Sequence, residues 1–440
     1  MAIGETATLA VLPDIAEQFS MRLWLIPMAY AITSIICGFG LPRLEHTYLA
    51  SYTLELSATS VQAYLAAVAS GTMVLTGIVF SIAFVVVQFS AIAYSPRLVL
   101  WFARDPILYH STGVFVATFM YSLSALVWVD RNDSGKVPLF SLLLVNAMLI
   151  LSVVLLSRLA QNINNLQITN VLHMIGNRGR DVIRDMFRHP DETGATDGDA
   201  IRNHADRNQL DPVTQTLRYS GDPRAIASID IDRLVLQAAQ VGAVIVMACG
   251  VGDKLVENGT ILRVHGAKRV LPDRQLVRAL SLEIDRTFEQ DPKYSIRILV
   301  DIAIKALSPA INDPTTAVQA IDQIEDLLCR LGGHDLDAGY ANDVNGVLRL
   351  IYPMPTFEDY LTLAFDEIRQ YGTASVQVMR RLRAALLGIS DSLTKVDRVA
   401  AVRQYLKHLD LAIERSPLDS VDQSTARYED RQGLGLSRKS

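Results

Sequence analysis

Residues 61–94 read Val61-Gln62-Ala63-Tyr64-Leu65-Ala66-Ala67-Val68-Ala69-Ser70-Gly71-Thr72-Met73-Val74-Leu75-Thr76-Gly77-Ile78-Val79-Phe80-Ser81-Ile82-Ala83-Phe84-Val85-Val86-Val87-Gln88-Phe89-Ser90-Ala91-Ile92-Ala93-Tyr94, with no Asp, Glu, Lys or Arg. About 20 apolar helical residues cross a hydrocarbon core of roughly 30 Å, so this run is longer than a bilayer needs. On either side, residues 23–41, 108–129 and 137–156 are likewise free of formal charge. The sequence therefore predicts a domain of four transmembrane helices over residues 22–160. Residues 1–21 precede it as a short cytoplasmic segment, where Glu5, Asp14 and Glu17 stand in place of the basic region of a cleaved leader.

The charges fall almost entirely beyond Leu156. The chain of 440 residues is 50% hydrophobic yet 20% charged, the balance of a membrane bundle joined to a large polar part. A net charge of -5 offers no basic excess for nucleic acid, which is excluded as a partner. Cys37, Cys249 and Cys329 are far apart and form no metal-binding spacing. Arg97 and Arg104, then Arg158, Arg178, Arg180 and Arg184, place the ends after the second and fourth spans on the cytoplasmic side. Arg131 and Lys136 oppose that bias. Both termini are then cytoplasmic, and residues 47–60 and 131–136 lie outside.

At 100° per residue, Ser70, Gly77, Ser81 and Gln88 fall within about 20° of one line on the second span. Small and weakly polar residues in such a stripe serve either as helix contacts or as the lining of a pathway. Thr72, Thr76 and Ser90 gather on another face. His110 is read as interfacial and Asn146 as an interhelical hydrogen-bond donor. Residues 95–105, beginning Ser95-Pro96-Arg97, read as an interfacial helix.

Past the membrane, residues 161–220 form a helical extension and a flexible linker, the latter over 189–212. Residues 221–271 form a small β-rich unit: strands over 225–231, 241–248 and 260–264, a helix over 233–240, and an Asn258-Gly259 hairpin tip. Its Gly252-Asp253-Lys254-Leu255-Val256-Glu257-Asn258-Gly259 string resembles the half-motif of barrel-sandwich, biotinyl-lipoyl-like domains. Lys254 stands at a strand entry and not at a hairpin tip, so no covalent cofactor is expected. Residues 272–415 form a helical domain, with helices over 272–308, broken at Asp291-Pro292, and over 357–387 and 396–413. Asp301 and Lys305 are placed for an ion pair, and residues 416–440 read as disordered.

Within this domain the Ser308-Pro309-Ala310-Ile311-Asn312-Asp313-Pro314-Thr315-Thr316-Ala317 string is the sharpest local signal. Asp313 is an N-cap and Pro314 a first helical residue, so a helix begins here. Asn312, Asp313, Thr315 and Thr316 are either a helix cap and tertiary corner or an anion-holding helix start.

Several stretches together carry a resemblance. Phe80-Ser81 with Ser95-Pro96-Arg97, Arg286-Thr287 with Gln290-Asp291, the string from Ala306 to Ala317, and Ala364-Phe365-Asp366-Glu367-Ile368-Arg369-Gln370-Tyr371-Gly372 resemble the bacterial predicted membrane proteins catalogued as domain of unknown function 2254. The likeness spans about residues 21–413. Ala310 stands where that pattern has glycine, and Pro292-Lys293 interrupt a segment that otherwise continues smoothly. The resemblance implies a bacterial inner-membrane protein and no activity.

No Ser/His/Asp or Cys/His arrangement, HExxH or Walker loop is present, so an enzyme is not expected. Two classes remain. One is a homo-oligomeric channel for small ions, lined by Ser70, Gly77, Ser81 and Gln88 above a cytosolic vestibule. The other is a membrane-anchored sensor or scaffold, with residues 312–316 as its site.

Overall fold

A computed structural model describes residues 15–48, 57–93, 106–129, 139–164, 167–187, 210–336 and 339–435. The chain divides into two compact units, residues 1–167 and 168–440. The expected interfacial helix over 95–105, both outer loops and the linker over 189–212 lie largely or wholly outside the described residues.

In the first unit four helices follow the four apolar runs: α1 (Ile15–Tyr48), α2 (Ala58–Ala93), α3 (Pro106–Leu126) and α4 (Leu139–Asn164). Among the described residues, three helices are long and apolar enough to cross a membrane, over Leu25–Glu45, Ala58–Val85 and Leu139–Gln161. α3 falls short because it carries Ser111, Thr112, Thr118, Ser122 and Ser124, all buried. It packs against α1, α2 and α4, which cover those hydroxyls. Contact between α1 and α3 requires glycine at two points. A Cβ at Gly38 would stand 2.6 Å from Ser124 Cβ, and one at Gly113 would stand 2.7 Å from the Tyr30 ring.

Polar side chains tie the helices where lipid offers no partner. Ser34 Oγ donates to the Ala117 carbonyl. Tyr30 Oη and His110 Nδ1 lie 3.2 Å apart. Tyr64 Oη donates to Asn146 Oδ1 at 2.8 Å, so Asn146 accepts the interhelical bond that it was expected to donate. Its own amide nitrogen bonds back to the Leu142 carbonyl.

The second unit begins with α5 (Ile168–Met186). Its buried line of Val171, Leu172, Ile175, Val182 and Ile183 packs on α8 (Pro292–Ala306) and α9 (Pro314–Gly332), so the helical extension is part of the bundle. Two small sheets follow. Strands β1 (Val213–Arg218), β5 (Thr260–His265), β3 (Val244–Met247), β8 (Leu348–Ile351) and β7 (Tyr340–Asn342) form one in that order. Strands β4 (Lys254–Leu255), β2 (Arg224–Ile229) and β6 (Leu280–Glu283) form the other. The helix α6 (Ile231–Val241) packs with them around Ile226, Leu234, Ile245, Leu262, Val264 and Leu350.

Several expectations are corrected here. The strands expected at 225–231, 241–248 and 260–264 and the helix at 233–240 are present with shifted ends. Residues 221–271 do not enclose the sheets, because β1, β6, β7 and β8 come from outside them, and β8 joins β3 in parallel. Asn258-Gly259 does make a turn, with Asn258 at φ 63° and Gly259 N bonded to the Val256 carbonyl at 2.9 Å. It is not a hairpin tip, since β4 and β5 on its two sides lie in different sheets. The helical spacing of Leu276, Leu280, Ile284 and Phe288 is broken into α7 (Asp273–Val277) and β6, whose pairing with β2 overrides the local period.

Around the core helices α8 and α9 stand α10 (Phe357–Tyr371), α11 (Val376–Ser392) and α12 (Val396–Glu414). The expected single helix over 357–387 is two. The first opens with a Thr356/Asp359 capping box and stops at Gly372, where the second is capped by Ser375. Asp301 bonds Arg297 on its own helix at 2.7 Å, and Arg297 reaches both oxygens of Glu367 at 2.8 Å. The chain end through 435 is ordered, against expectation. After α13 (Ser420–Ala426), buried Asp430 accepts from the backbone N–H groups of Gln432, Gly433 and Gly435, and Arg380 donates to the Gly435 carbonyl at 2.9 Å.

Candidate functional site

The two sites expected from sequence lie in different units. On α2, Leu65, Val68, Thr72, Thr76 and Val79 are buried, on the face that packs within the unit. Thr72 and Thr76 bond their own helix, to the Val68 carbonyl at 2.8 Å and the Thr72 carbonyl at 2.9 Å. Ser70, Gly77, Ser81 and Gln88 lie on the opposite side and are all exposed. A Cβ added at Gly77 would meet nothing within 4 Å, and Ser81 Oγ folds back onto the Gly77 carbonyl at 3.1 Å. The exposed apolar residues Val74 and Phe84 flank the line. Among the described residues of the chain the stripe is therefore not a packing surface.

Asn312, Asp313, Thr315 and Thr316 sit at the start of α9. Asn312 adopts φ 50°, a left-handed conformation that asparagine tolerates. That turn points the Asp313 N–H to the Ala306 carbonyl at 2.8 Å and ties the end of α8 to the start of α9. Both carboxylate oxygens of Asp313 are engaged by Thr316, Oδ1 by its backbone N–H at 3.1 Å and Oδ2 by its hydroxyl at 2.6 Å. The cap completes itself with the chain's own groups. Asp313→Ala is expected to destabilise the protein by about 1 kcal/mol, read as a lowered thermal midpoint of the purified protein. Loss of function at an unchanged midpoint would instead make these residues a ligand site.

Two carboxylates outside both expected sites emerge from the structure. Glu45, 6% exposed, accepts from the backbone N–H of Phe140 at 2.8 Å and from the N–H and hydroxyl of Ser141 at 3.2 and 3.3 Å. It caps α4 from the end of α1. Asp291, 2% exposed, caps α8 by accepting from Lys293 N at 3.1 Å, with Pro292 as first helical residue. What reads as an interruption at Pro292-Lys293 is thus a helix start.

Burial pushes the Asp291 carboxyl above its ordinary value, against the opposing pull of Lys293 and Arg286. A carboxyl that binds its proton more tightly in the folded state contributes stability that is full below its unfolded pKa and lost as pH rises through the folded one. Asp291→Asn removes that titration while leaving the other acids in place. The variant's thermal midpoint relative to the parent is therefore expected to rise from acid toward neutral pH. The reverse slope would show that the cations outweigh burial.

Among the described residues, no group of three or more His, Cys, Asp or Glu is placed to hold a metal ion. No solved structure matches the chain. Uncharacterised proteins of Mycobacterium bovis and Mycobacterium tuberculosis are each 26% identical over 367 residues, covering 81% of this chain and 69% of theirs. The model of the predicted membrane protein family DUF2254 matches residues 20–387, taking in both the four apolar helices and most of the second unit, and the chain belongs to that family.

Proposed function

We propose that the protein is a homo-oligomeric, non-enzymatic channel of the bacterial inner membrane, with α2 of each copy lining a central pathway for small ions. One observation carries this reading: Ser70, Gly77, Ser81 and Gln88 are exposed on the side of α2 opposite its packing face. Lipid gives serine hydroxyls and backbone-exposing glycine nothing that leucine would not, whereas a second copy or water does. In this reading α3 spans the bilayer with the other three helices, its hydroxyls shielded by them. The second unit then forms a vestibule on the cytoplasmic side. A sensor or scaffold using residues 312–316 has less support, because Asp313 has both oxygens engaged by Thr316.

The test is conductance of purified protein in planar bilayers or liposomes across voltage, tension and salt. Well-folded protein that stays silent throughout would remove the channel. Orientation is tested separately: four spans put both termini on one side and the arginines from Arg158 to Arg184 make that side the inside, so Asp133→Cys in intact cells is expected to react with a membrane-impermeant thiol reagent. Labelling only after permeabilisation would invert the topology.

A further inference from the structure

Asp291 carries an oxygen that the helix cap leaves unused. Oδ1 accepts from Lys293 N, while Oδ2 is buried and makes no hydrogen bond among the described residues. A buried carboxylate oxygen in that condition either attracts a cation or takes up a proton. The nearest cation is Arg286, whose Nη1 stands 3.9 Å away, outside hydrogen-bond range, on a side chain that remains 39% exposed. It is near enough to close on Asp291 and free enough to leave.

The surroundings show what such a movement would couple. Oδ2 lies against the turn over residues 250–253, where Gly252 has φ 86° and a Cβ would stand 2.4 Å from that oxygen. This turn is bonded to β2 through Gly252 N and the Ile226 carbonyl at 2.8 Å. Gln290 Oε1 accepts from Ile229 N at 2.9 Å, and Lys293 Nζ donates to the Val251 carbonyl at 3.2 Å. Residues 284–291 are thus laced to the sheets at one end and begin α8 at the other. Arg286 sits between those ties. On α10, burial pushes the Tyr360 phenol up, and the charges of Asp291 and Asp359 add to that push. On the turn, Asp253 is occupied by Gly250 N at 2.8 Å, and on the segment itself Asp285 and Glu289 are both exposed.

We propose that Asp291 and Arg286 form a proton-operated latch between the sheets and helices of the second unit. Ionised Asp291 holds Arg286, and with it residues 284–290, over the turn at 250–253. Protonation places a neutral carboxyl in the buried site and releases Arg286 to solvent, loosening the segment while the helix cap stays in place. The proton is taken from bulk water and no covalent bond changes. The latch differs from a general acid weakening, since the buried carboxyl itself favours the folded unit at acid pH while the segment above it opens.

The test is hydrogen exchange of the full chain in lipid nanodiscs between about pH 5 and pH 8, corrected for intrinsic chemistry, read on peptides covering 250–256 and 284–293. In the wild type, exchange over 284–290 is expected to rise severalfold at acid pH. Arg286→Gln should exchange at the acid level throughout, and Asp291→Asn should show no pH step. If Asp291→Asn does not fold, Arg286→Gln decides alone. Corrected exchange that is flat in the wild type, or a wild-type pH step retained in Arg286→Gln, overturns the latch.

Discussion

Gly77→Trp and Ser81→Trp are expected to abolish ion flux through reconstituted protein, by at least about tenfold, without lowering the thermal stability of the protomer. Nothing lies within 4 Å of a Cβ at position 77, so a side chain there starts into open space among the described residues. Ser81 is likewise exposed and bonds only back along its helix among its described contacts. A ring of such side chains around an axis would fill a narrow pathway. Substitution at Thr72 or Thr76, on the buried face, would instead disturb the protomer. Gln88→Glu adds one negative charge per copy at the end of the line and should raise cation over anion preference. Trp variants with undiminished flux would move the pathway elsewhere. Trp variants that lose the oligomer would make the stripe an assembly contact.

The contrast between the two faces of α2 depends on tertiary structure, and it shows how far sequence alone reaches. Residues 61–94 marked a helix because an uncharged run of that length has one comfortable environment, and Ala58–Ala93 is that helix. Periodicity placed Ser70, Gly77, Ser81 and Gln88 on one line but could not say whether the line was covered. The sheets were less legible. Residues 280–283 have helical spacing with their neighbours, yet pair with β2 more than fifty residues earlier, and β8 reaches β3 in parallel across about a hundred. Such strands are decided by distant partners rather than local preference. Asp313-Pro314 was read as a cap because aspartate favours the N-cap and proline the first helical position. Asp291-Pro292 has the same grammar, but its placement inside an apolar periodic stretch made the proline look like a break.

Glu45 was invisible for a related reason. Its partners are 95 and 96 residues away, and at the edge of an apolar run it passes for an interfacial charge. In the structure it is a buried acid that takes three hydrogen bonds at the N-terminus of α4, where the helix dipole and the free N–H groups both favour a negative charge. Glu45→Ala is therefore expected to be among the most destabilising single changes in the first unit, at about 3 kcal/mol. That magnitude follows from charge-assisted bonds lost and from N–H groups left without acceptors away from water. Glu45→Gln keeps an acceptor oxygen but no charge, and should cost about half as much. Ser141→Ala removes only the longest of the three bonds and should cost about 1 kcal/mol or less. The measurement is the thermal midpoint of each purified variant in the same detergent and lipid. If Glu45→Ala and Ser141→Ala shift it equally, the hydroxyl contact and not the helix cap is what joins α1 to α4. If neither shifts it, water reaches the end of α4 and replaces the carboxylate. The expected ranking, Ala worse than Gln at position 45 and both worse than Ala at 141, arises only when a buried charge closes the helix end.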